Sequence, residues 1–141
     1  MTASPAPARR KIIRGIAAFD FAVTAPFALP YVGETMIRLV YHLDTVFGFA
    51  TVPHGFAAAP VGFGSAQMMF VHIMGVLGVV WALARFRMPN EMLARMDGLA
   101  RVMVAALILH AINLGAPRIL VVFILTELAG SVAQLLGRRE G

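Results

Sequence analysis

The sequence predicts an all-α integral membrane protein: a single transmembrane domain over residues 1–141, a four-helix bundle with both termini cytoplasmic. Three observations predict it. Hydrophobic residues make up 60% of the chain and charged residues 13%, with a mean hydropathy of +0.81, whereas soluble domains carry about 45–50% apolar and about 25% charged residues. Too little charge is available to cover a water-facing surface. Four apolar stretches approach the ~20 residues that a helix needs to cross the hydrocarbon of a bilayer. The basic residues gather at the ends of those stretches, on alternate sides.

Residues 1–8, MTASPAPA, are small and Pro-rich and predict a disordered tail. The first span covers roughly 12–32. It carries Asp20, Pro26 and Pro30, and the prolines predict a bend or an end there. A basic start and the small residues of TAPFALP resemble a secretory signal, but Asp20 interrupts the apolar core that such a signal requires. Residues 33–64 are too long for an empty connection. Within ETMIRLVYHLDTVFGF, Met36, Ile37, Val40, Leu43 and Phe47 recur near helical spacing, with Glu34, Arg38, His42 and Asp44 at other positions. The segment reads either as a short amphipathic helix on the membrane surface or as an outward extension of the first helix. The following ATVPHGFAAAPVGFGS reads as irregular loop.

The second span, 65–86, is uninterrupted, and Trp81 and Arg85 near its end read as interfacial anchors. Asn90 after Pro89 predicts the N-cap of the third span, 93–114, whose continuous apolar run begins only after Arg101. The fourth span, 117–136, has Pro117 in its first turn and Gly137 as a C-terminal cap. Nine of the twelve basic residues lie before the first span, around the connection of the second and third, or after the fourth. Those regions share one side only if there are four spans, and the rule places that side in the cytoplasm of a bacterial-type inner membrane.

Several function classes are excluded or disfavoured. With no cysteine, the chain holds no thiolate metal site, disulfide or thiol nucleophile. The net charge of +5 does not indicate nucleic acid, because the cations flank apolar runs without interleaved aromatics. HExxH, GxxxxGK[ST], GxSxG and GxGxxG are all missing, so no catalytic residue is assigned. The expected partners are the lipid bilayer and other membrane subunits or further copies of the chain.

The candidate residues are the polar ones inside the apolar runs. Glu127 falls near mid-span, where a charge is costly and needs an inward partner. Ser131 and Gln134 follow on the same stripe of the helix. Depth counting places Asp20, Asp97 and Arg101 beside it, with Asp97 and Arg101 paired at i, i+4. Asp20, Asp97, Arg101, Glu127 and Ser131 thus form one expected polar layer, in which three acids share one strong base. Such a layer serves either proton or cation coupling or the packing of the helices. His72 and His110 form a second, outer layer that could ligate one haem, with His42 and His54 as further donors. The nine methionines read as packing: Met68 and Met69 are adjacent and point apart, and Met92, Met96 and Met103 lie among Leu and Ala.

Four short spans, an acid early in the first and ARMDGLAR opening the third give a layout that resembles the small bacterial membrane proteins of the DoxX-like kind. The resemblance implies the fold, and no functional residue is carried over from it. The function expected from the residues is a binding or accessory membrane subunit. The alternatives are a small proton- or ion-coupled carrier and a b-type haem electron-transfer protein.

Overall fold

The computed structural model describes residues 5–49 and 64–136. They contain five α-helices and two 3-10 turns, with no strand among the described residues. Helix α1 spans Pro7–Thr24 and runs into a 3-10 turn, Ala25–Ala28; α2 spans Val32–Val46, α3 Ser65–Arg87 and α4 Glu91–Asn113. A second 3-10 turn, Arg118–Leu120, leads into α5, Val121–Leu135. Pro7 and Ala8, expected in the tail, lie in the first turn of α1, where the missing N–H of a proline costs nothing; residues 1–4 lie outside the described residues. Residues 50–63 and Gly137 lie outside the described residues, and with them the irregular loop, His54 and the C-terminal cap.

The first expected span is broken. Pro26 converts the end of α1 to a 3-10 turn, and Leu29 is extended ahead of Pro30. Tyr31 then takes φ 64 and ψ −38, while the Val32 N–H donates to the Pro30 carbonyl at 2.8 Å. This is a γ-turn of the strained hand. The chain leaves it at 105° to α1 as α2. α2 is therefore a separate helix and not a straight outward extension of α1.

Packing follows two pairings. α1 lies along α3, and α4 lies along α5. Glycine allows the tightest approaches. A Cβ on Gly75 would sit 2.5 Å from the Phe27 carbonyl carbon, so α3 meets the first 3-10 turn backbone to backbone. Gly98 of α4 instead makes room for side chains of α5, with Leu135 Cγ 2.9 Å and Gln134 Cβ 3.4 Å from where its Cβ would be. Arg9 at the start of α1 donates to the Ala133 carbonyl, 2.6 Å away, near the end of α5. The outer ends of α1 and α5 therefore lie at one end of the molecule. At the other end the buried Asp44 of α2 accepts from the Ile119 N–H at 2.9 Å and caps the second 3-10 turn. Asp44 thus faces inward rather than lying on an exposed polar face of α2.

The distribution of residues is inverted relative to a water-soluble fold. Among the described residues the buried hydrophobic side chains are Ile13, Ala17, Met68, Ala82, Ala94 and Ala105. They are outnumbered by buried polar ones: Arg9, Asp44, Arg85, Asp97, Arg101, Ser131 and Gln134. Large apolar side chains such as Leu107, Leu125, Met103 and Met74 face outward, each more than 60% exposed. Water-soluble interiors show the opposite preference. Two helices, α3 and the stretch Arg118–Leu135, are long and apolar enough to cross a membrane, and the bent pair of α1 and α2 would make a third as one broken span. α4 matches α3 in length, but Glu91, Arg95, Asp97 and Arg101 crowd its first half; it does not meet the same test of composition. Its N-cap is Asn90, whose side chain accepts from the Met92 N–H at 2.7 Å.

Candidate functional site

The polar layer is built by all four long helices. Asp97, two turns into α4, is its centre. Its Oδ2 accepts from Arg85 Nη1 at 2.6 Å, Gln134 Nε2 at 2.7 Å and Arg101 Nε at 2.9 Å. Its Oδ1 accepts from Trp81 Nε1 at 2.7 Å. Asp20 of α1 is shared by two cations: Arg85 Nη2 stands 2.5 Å from its Oδ2, and Arg101 Nη2 bonds the same oxygen. Arg101 also donates Nη1 to Glu127 Oε2 at 2.9 Å. Ser131 donates its hydroxyl to the Gly98 carbonyl at 2.8 Å and ties α5 to α4 just below the ions.

Local sequence explains how these groups meet. Asp97 and Arg101 lie one turn apart on α4, as do Trp81 and Arg85 on α3, so each pair shares a face. The connection between α3 and α4 is only residues 88–90, and across it Arg85 and Trp81 reach the Asp97 carboxylate through their side chains. Gly130 keeps α5 open above Arg101, since a Cβ there would lie 2.9 Å from Nη1. The Arg85 guanidinium also rests 5.8 Å from the centre of the Trp81 ring.

The structure brings Asp20, Asp97, Arg101 and Glu127 into one network and places Ser131 beside it. It changes the expected charge count. Two guanidiniums, Arg85 and Arg101, face three carboxylates, so the acids do not share a single base. Arg85 is 1% exposed and is no interfacial anchor, and Arg9, at 5%, is more than a topology signal. Arg9 forms a second ionic group at the rim, with Nε 2.8 Å from Glu91 Oε1. Sequence reading missed Arg9, Trp81, Arg85 and Glu91 as site residues. The one-turn spacing of Trp81 and Arg85, a short connection before Asp97, was the available signal.

Within the network the acids are not equivalent. Asp97 and Asp20 are 7% and 13% exposed at the side chain, while Glu127 is 21% exposed and engages only one cation. An open cleft of about 310 Å³ beside α1 and α5 reaches Arg101, bordered by Gly15, Phe19, Gly130 and Ala133. Among the described residues two buried polar atoms, Arg85 Nε and Gln134 Oε1, have no hydrogen-bond partner.

The histidines are not brought together. His72 lies against the first 3-10 turn, its Nδ1 2.8 Å from the Phe27 carbonyl. His110 is exposed on α4, a helix that packs on α5 and not along α3. The geometry therefore does not support one haem held by both. His42 is exposed on α2. Among the described residues no three His, Asp or Glu side chains converge as a metal site. Met92, Met96 and Met103 face outward, each more than half exposed. Compared with known proteins, the chain matches no family model, no curated protein and no solved structure.

Proposed function

We propose that the chain is a polytopic membrane protein of four passes that acts as a binding or accessory subunit, with α1, α3, α4 and α5 crossing and both termini on the cytoplasmic side of a bacterial-type inner membrane. The observation that carries this reading is the commitment of the charges. Every carboxylate of the layer is bonded to a guanidinium, and Asp97 alone accepts four hydrogen bonds. Charges so paired hold helices in one arrangement, since a partner removed leaves an uncompensated ion in the interior. The layer, together with the Arg9 group at the rim, joins the pair α1 and α3 to the pair α4 and α5. The apolar outer faces remain for lipid and for the helices of partner subunits or further copies. α4 crosses despite Asp97 and Arg101 because these two are paired inside the bundle, away from hydrocarbon, and the exposed Arg95 lies in its first turns, toward the cytoplasmic side.

The test is Glu127→Gln, assayed both for stability in detergent and for pH-driven flux in vesicles. The reading expects reduced stability and no flux attributable to the wild type. Full stability with loss of a transport activity would overturn it.

One observation favours a second reading, a small proton- or ion-coupled carrier. Three acids exceed two arginines, and Glu127 is the acid with the fewest bonds and the most exposure. It is the group from which a proton or cation can exchange without breaking the Asp97 centre. Flux in vesicles that both Glu127→Gln and Asp20→Asn abolish would establish that reading.

A further inference from the structure

A second group of donor atoms lies at the end of the molecule away from Arg9. A groove of about 670 Å³ opens between α2 and the first turns of α3, lined by Glu34, Met68, Met69, His72 and Ile73 among others. His72 is held there in one tautomer. Its Nδ1 lies 2.8 Å from the Phe27 carbonyl, and a carbonyl only accepts, so Nδ1 carries the hydrogen. In the neutral ring Nε2 then keeps its lone pair. The ring is wedged as well as bonded: a Cβ on Gly33 would stand 3.2 Å from its Cε1. Histidines that bind metals are ordinarily oriented in this way, by a hydrogen bond from the other nitrogen to a backbone carbonyl or carboxylate.

The neighbouring donors are soft. Met68 precedes His72 by four residues, one turn away on the same face of α3. It is 7% exposed, unlike the outward-facing Met92, Met96 and Met103. Met69 borders the same groove although it is adjacent to Met68, because the groove is wide enough to take both. Thioethers with imidazole select Cu(I) among biological cations. A hard divalent ion needs six or more oxygens, and Glu34 is the one carboxylate in the lining. That carboxylate offsets the positive end of the α3 dipole, which by itself would repel a cation.

We infer that this groove binds a soft monovalent cation, Cu(I) or its redox-inert surrogate Ag(I), through His72 Nε2 and the sulfurs of Met68 and Met69, with Glu34 as the balancing charge. The site is independent of the ionic layer and of the function proposed for it.

The test is a titration of the full-length protein in detergent with Ag(I), observed at the methionine methyl groups. One equivalent should shift Met68 and Met69 and leave the other seven methionines unmoved. His72→Gln should weaken binding at least about tenfold, the effect expected of a lost metal ligand. Met68→Leu keeps the packing volume and should do the same with helicity unchanged. His110→Gln should bind as wild type does. Shifts confined to the outward methionines, wild-type affinity in both His72→Gln and Met68→Leu, or no binding at one equivalent would each overturn the inference.

Discussion

Asp97→Asn tests the ionic layer at its centre. The side chain keeps its shape but loses its charge and one acceptor. With the amide oxygen in place of Oδ2, three donors still find an acceptor, and the new NH₂ faces Trp81 Nε1, which now stands 2.7 Å from Oδ1. With the amide reversed, the NH₂ faces Arg85, Arg101 and Gln134 together, so the first orientation is the better one. Even there the Trp81 bond is lost, at about 1–3 kcal/mol for a donor left unpaired, and the two arginine bonds lose the anionic half of the ion pair while keeping the cationic donor, about 1 kcal/mol each. These terms share partners and do not add strictly. Their sum of about 3–5 kcal/mol agrees with the cost of breaking a buried ion pair. Glu127→Gln removes the same unit of charge but alters one bond at a more exposed position, which gives about 1 kcal/mol. The assay is unfolding in detergent followed by tryptophan emission. Trp81 is the single tryptophan and a direct partner of Asp97, so its emission reports the centre of the layer. Equal costs for the two variants would refute the ranking. A cost below about 1 kcal/mol for Asp97→Asn, with Trp81 emission unchanged, would refute the network itself.

Other outcomes follow from single contacts. Gly75→Ala places a methyl group against the backbone at Phe27–Ala28, and overpacking of about 1–3 kcal/mol or more should appear as lost stability or expression. Tyr31→Gly relieves the positive φ at the γ-turn and should raise stability by about 1 kcal/mol in the same unfolding assay. Asp44→Ala removes the cap on the Ile119 N–H. It should cost about 0.5–2 kcal/mol and speed hydrogen exchange at residues 118–120.

Much of the helical layout is legible in the sequence because apolar run length and proline position are local properties. Asn90 announces its cap, and the two apolar helices that qualify as spans match the expected bounds to within a residue. The break at residues 29–31 is visible only as prolines; the 105° turn depends on Tyr31 adopting a conformation its residue type does not advertise. The site is legible to the extent that depth can be counted. Asp20, Asp97, Arg101 and Glu127 are the polar residues that interrupt apolar runs, and an uncompensated charge there needs a neighbour. Arg85 is different. It sits two residues from the end of α3, where a cation satisfies a topology rule just as well, and only its tertiary pairing with Asp20 and Asp97 draws it inward. Arg9 is hidden for the same reason. The pairing of α1 with α3 and of α4 with α5 leaves His72 and His110 on helices that do not pack together, and nothing in their spacing reveals that. Gly33, which lets α2 close over His72, and the tautomer fixed by the Phe27 carbonyl are properties of tertiary contact alone.

The claim that four helices cross the bilayer is tested most directly by the sidedness of α4, the helix whose composition is least suited to crossing. The chain has no cysteine, so single substitutions can be read without background. Met88→Cys lies between α3 and α4, and Asn113→Cys ends α4; both positions are exposed. A membrane-impermeant maleimide added to intact spheroplasts should label Asn113→Cys and spare Met88→Cys, which becomes reactive only after lysis. Labelling of both positions from the outside, or of neither, would contradict a crossing by α4 and with it the four-pass arrangement.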